Sequence, residues 1–72
     1  MNDFDARLGA LSNEAQSLVV GACELCANVG TQWAERDFAA VAKAMREAAS
    51  KHRRAAELYD QIADECTRKG LS

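Results

Sequence analysis

The residues of this 72-residue chain that could do chemistry are three cysteines, one histidine and a few clustered charges. Two of the cysteines form a C-x-x-C pair, Cys23-Glu24-Leu25-Cys26. Such a pair works as a redox couple when a helix N-terminus lowers its thiol pKa, or as half of a zinc site when two more ligands join it. Here the pair falls near the C-terminal end of its helix, where the dipole has the wrong sign. The remaining soft ligands are Cys66 and His52, which a simple hairpin keeps far from Cys26. Cys23 and Cys26 therefore read as small packing groups, one flanking a helix seam and one on a strip with Val19. No cofactor is expected. A metal-binding bundle using Cys23, Cys26 and Cys66 or His52 is an alternative.

Arg46, Lys51, His52, Arg53 and Arg54 make a local basic patch, the kind of feature that could grip phosphates. Glu47 and Glu57 are interleaved at spacings that pair with Lys43, Lys51 and Arg53, so the patch reads as a solvated, self-paired helix face. Nucleic acid is an unfavoured partner. Asp60 and Asp64 could share acid–base work only inside a pocket that raises a carboxyl pKa, and a two-helix chain offers none. These residues point to a non-enzymatic protein.

The elements that position them are helical. The chain has no proline, four glycines and 49% apolar residues, many of them alanine, a composition that favours helices over strands. From Phe38, apolar positions recur in alternating steps of three and four: Phe38, Val41, Met45, Ala48, His52, Ala55, Tyr59, Ile62, Cys66. This is the seven-residue repeat of helices that pack along a seam. With Phe38 at position a, the a column is Phe38, Met45, His52, Tyr59 and Cys66. The d column is Val41, Ala48, Ala55 and Ile62, and the e column is Ala42, Ala49, Ala56 and Ala63. Phe38, Val41 and Met45 are expected to form the seam, and His52, the polar residue within it, to lie at its edge or to fix its register. Phe4, Leu8, Leu11, Ala15, Leu18, Ala22, Leu25 and Val29 carry the same repeat in the first half.

Asn2 or Asp3 can cap the first helix, whose soft point lies near Ser12. Gly30 can end that helix in the left-handed conformation and Thr31 can cap the next. Lys69-Gly70 supplies a basic last turn and a terminator. The fold expected is all-α: a single domain over 1–72, with helices at about 3–27 and about 32–69 and a turn at 28–31. This is an antiparallel hairpin with a longer second helix.

At about 1.5 Å per residue the helices span roughly 37 and 57 Å. Folding at Gly30 sets Phe4 near Ala56 and leaves Leu58, Tyr59, Ile62 and Cys66 as an apolar overhang. Dimerisation into a four-helix bundle is expected to cover it. The partner-binding residues are then Leu58, Tyr59, Ile62 and Cys66, together with Trp33 near the turn, since tryptophan is common at interaction hot spots. Truncating Tyr59 and Ile62 should abolish association, and truncating Phe38 and Met45 should unfold the hairpin.

A formal net charge of −2 is too small to imply an acidic tail or a polyanion binder. No N-terminal basic segment precedes an apolar run, no stretch suits a bilayer, and an odd cysteine count does not suit a disulfide framework. A cytoplasmic location without a membrane partner is expected. The function expected is a protein–protein interaction module (adaptor, inhibitor or anti-activator, or export partner) that uses the apolar face of its long helix.

A hairpin with Trp33 at the bend and Tyr59 followed by an acidic residue late in helix two resembles the small secreted substrates of type VII systems. That family carries Trp-X-Gly where this chain reads Trp33-Ala34-Glu35. The acid lies four residues after the family's tyrosine, whereas Asp64 lies one position later. The likeness touches a handful of positions. It implies, as an alternative, a secreted or chaperone-like hairpin of a specialised secretion system.

Overall fold

A computed structural model describes residues 3–71, with side chains to Gly70. The described chain is all helical: α1 (Asp3–Ala27), the one-turn α2 (Gly30–Ala34) and α3 (Phe38–Leu71). α1 runs unbroken through Gly9, Ser12 and Gly21, with Asp3 and Asp5 in its first turn where the helix dipole favours negative charge. Asn2, the alternative cap, lies outside the described residues.

The chain reverses at Glu35–Asp37 and not at residues 28–31. Val29 keeps helical dihedrals, and helix-type bonds run from Asn28 N–H to Glu24 C=O and from Trp33 N–H to Val29 C=O. No glycine has positive φ; the left-handed residue is Arg36, at φ 60. Around it the Asp37 N–H donates to Gln32 C=O at 2.9 Å and the Arg36 N–H to Trp33 C=O at 3.2 Å. This pair of bonds is a Schellman motif. Asp37 also begins α3: its carboxylate accepts from the Ala40 N–H at 3.1 Å, three residues on, as an N-cap. Thr31, expected to cap, lies inside α2. Gly70 does not stop α3 either, although Arg68 and Lys69 occupy its last turn as expected.

Moving the bend six residues along removes the overhang. Arg7 reaches Glu65 at 2.9 Å, and the Lys69 ammonium sits 5.5 Å from the Phe4 ring centre, so α1 extends alongside the far end of α3. Phe4 is level with Lys69 rather than Ala56. The molecule is a rod of 56 × 19 × 11 Å, two helices wide and one thick.

The repeat in α1 packs as its spacing predicts, with Ala15, Ala22 and Val29 buried and Phe4, Leu8, Leu11, Leu18 and Leu25 half-buried. In α3 the buried residues are Val41, Ala48, Ala55 and Leu58, with Ala40, Ala42, Ala44, Ala49, Lys51, Ile62 and Glu65 partly covered. The seam therefore runs along columns d and g, and column a is displaced from it. The ion pairs Arg7–Glu65 and Glu14–Arg54 set a register in which Leu8, Ala15, Ala22 and Val29 lie level with Ile62, Ala55, Ala48 and Val41. Alanine opposite alanine lets the backbones approach closely. The side chains of Met45 and Tyr59 are too large for that gap and turn aside.

Among the described residues Leu58 is the one large side chain fully buried, at 1% exposure, and is core rather than overhang. Leu58→Ala should cost about 2–5 kcal/mol, while the same truncation at the neighbouring exposed Tyr59 should cost well under about 1 kcal/mol. Urea denaturation of dilute protein, followed by circular dichroism, measures both; equal losses would contradict this seam. At the bend, Arg36→Gly should stabilise by up to about 1 kcal/mol by relieving the left-handed strain, and Asp37→Ala should destabilise by about 1 kcal/mol. Thermal unfolding of the two variants should therefore shift in opposite directions.

Candidate interaction face

At about 100° per residue, the helical phase sorts the two broad sides of the rod. One side carries Arg7, Glu14 and Gly21 from α1, opposite Glu65, Arg54 and Lys51 of α3. Most of its charges are paired within the chain. Glu65 bridges Arg7 at 2.9 Å and Arg68 at 2.7 Å, and Arg54 pairs with Glu57 at 3.2 Å and Glu14 at 3.6 Å. The aliphatic stem of Lys51 lies over Gly21, where an added Cβ would sit 3.5 Å from its Cδ. A cleft of about 390 Å³ between Leu11 and Gln61 opens on this side, walled by the Arg7–Glu65–Arg68 pairs. Exposed pairs of this kind contribute little stability, about 0–1 kcal/mol each, and act here mainly to fix register.

The other side has the opposite character. It is formed by columns a and e of α3 and by Asp5, Ser12, Gln16, Val19, Cys23 and Cys26 of α1. Among the described α1 and α3 residues of this side, Asp5 and His52 are the ones of Asp, Glu, Lys, Arg or His type, and the Arg36 guanidinium stands at its bend end. Phe38, Met45 and Tyr59 stand in this side at 52%, 39% and 52% exposure, spaced seven and fourteen residues apart. Four alanines, Ala42, Ala49, Ala56 and Ala63, run beside them as a smooth track. At the bend, Trp33 is 54% exposed and meets Phe38 edge to face, 6.0 Å between ring centres, with the Arg36 guanidinium 6.0 Å from the Phe38 ring. These apolar groups form an open strip along most of the rod.

The residues singled out in the sequence divide across this geometry. Trp33, Tyr59 and Cys66 are exposed and join the open side, Ile62 is half-buried in the seam, and Leu58 is core. Val41 is a seam residue as expected. Phe38 and Met45 are not, and His52 is exposed in the open face rather than held in a seam. Cys23, Cys26 and Cys66 are all exposed free thiols. Cys26 lies level with Met45, while Cys66 is some twenty residues farther along α3, about 30 Å away. Among the described residues no group of three or more His, Cys, Asp or Glu side chains is placed to hold a metal ion, so the ligands of the metal-binding alternative are not brought together within one chain. Sequence reasoning misses Leu58 as core, and the e-column alanines, read as part of a broad apolar face, are half-buried at Ala42 and Ala49 and exposed at Ala56 and Ala63. The signal lay in a second heptad-spaced set, Ala44, Ala48, Ala55, Leu58 and Ile62, that also runs down α3.

Comparison with known proteins finds no matching family model, curated protein or solved structure. No helix among the described residues is long and apolar enough to cross a membrane.

Proposed function

We propose that this protein is a non-enzymatic interaction module that docks a helical partner on the face formed by columns a and e of α3. The observation that carries this reading is the exposed row Phe38, Met45 and Tyr59 beside four alanines, on a side nearly free of charge. Large apolar groups scattered singly on a surface mean little, whereas a continuous strip signals a covered surface. The alanine track suits a helix in particular, because small residues let a second backbone approach and receive large side chains between them. The opposite side, with its internal ion pairs, suits water.

A photo-reactive phenylalanine analogue placed at Met45 should cross-link a protein partner in cells, and the same group at Gln61, on the charged side, should not. Ala56→Arg, which sets a charge in the middle of the track, should remove the Met45 adduct. Equal labelling from both sides, or indifference to Ala56→Arg, would contradict the reading.

A further inference from the structure

We infer that the occupant of this face is a second copy of the same chain, with the two α3 helices packed antiparallel. The inference rests on the docking reading above and names its partner.

The first argument is area. A compact monomer of 7.8 kDa exposes about 4,400 Å² by the scaling of folded proteins, whereas this chain exposes 5214 Å². The surplus, about 800 Å², is what one partner contributes to a standard stable interface.

The second argument is charge, and it points to self-association. The outer edge of α3, turned away from α1, consists of column b, which borders the open face, and column f, which borders the charged side. Before the midpoint between Ala49 and His52 it carries Lys43 and Arg46, and after it Arg53, Glu57, Asp60 and Asp64. Only Glu57 of these six is in an ion pair of its own chain, among the described residues. An edge that is basic at one end and acidic at the other complements itself when reversed. Two antiparallel copies set Lys43 of one near Asp60 of the other and Arg46 between the other's Glu57 and Arg53, while a parallel pair sets like on like throughout. Such rim charges select orientation and partner more than they add affinity.

The third argument is shape. An antiparallel two-fold axis between Ala49 and His52 places every large group of column a opposite an alanine of the partner's column e. Phe38 then faces Ala63, Met45 faces Ala56, His52 faces Ala49 and Tyr59 faces Ala42. Each knob meets a hole, as in the packed seams of helical bundles. The same axis stacks α1 on α1 and completes four helices around one interior.

The test uses a full-length chain freed of its exposed thiols by Cys23→Ser, Cys26→Ser and Cys66→Ser. Two versions are mixed, one bearing Phe38→Cys and the other Ala63→Cys, and gently oxidised. Mass spectrometry should find the mixed disulfide at least tenfold over either same-position disulfide. Sedimentation of the wild-type chain should give twice 7.8 kDa, with dimerisation weakened at least tenfold by Ala56→Arg. Same-position disulfides in excess would overturn the antiparallel arrangement. A monomer at high micromolar concentration with no disulfide would overturn self-association. In that case a Met45 adduct to a different protein leaves the docking reading standing, and its absence removes both.

Discussion

The close approach of α1 and α3 through layers of alanine decides most of this structure. Ala15 and Ala22 on one helix lie level with Ala55 and Ala48 on the other, and all four are almost wholly buried. Alanine contributes little buried area, so the seam gains from closeness rather than from bulk. Closeness then dictates the rotation of α3. With columns d and g at the contact, the large column-a side chains fall to one side and the ion-paired residues to the other. One packing choice therefore produces both the two-sided character of the rod and its open apolar face.

The bend cooperates with the seam. A left-handed Arg36 closes α2 through the Schellman bonds, and the next residue caps α3, so the reversal needs only Glu35, Arg36 and Asp37. With α2 added to α1, the first limb runs from Asp3 to Ala34, nearly the length of α3. Equal limbs leave no bare end. The apolar surface left open is lateral, along the helix, and not terminal.

Much of the fold was legible in the sequence, including the helical class, the extent of α1, the α1 seam and the pairing of two long helices. The position of the bend was not. Asn28-Val29-Gly30-Thr31 carries turn residues, but an unbroken helical backbone accommodates them, whereas the true reversal uses a non-glycine residue at φ 60. The rotation of α3 was hidden for a different reason. Two sets of residues share a seven-residue spacing there, and size favours Phe38, Met45 and Tyr59 as core. The deciding fact is the small size of the facing residues of α1, which exclude large groups from the gap. Leu58 is admitted because it sits on the g flank, level with the half-buried Leu11. The candidate face inherits that error in reverse: several of its residues were recognised as apolar and seam-forming and were assigned to the interior.

If a second molecule covers the open side, protection of Met45 and Tyr59 depends on protein concentration, whereas protection of Leu58 in the seam does not. Hydroxyl-radical footprinting at nanomolar and at high micromolar concentration reads each side chain directly. Met45 and Tyr59 should be reactive in dilute protein and protected when concentrated, while Leu58 should be protected at both. Protection of Met45 and Tyr59 in dilute, folded monomer, or a reactive Leu58, would contradict this arrangement.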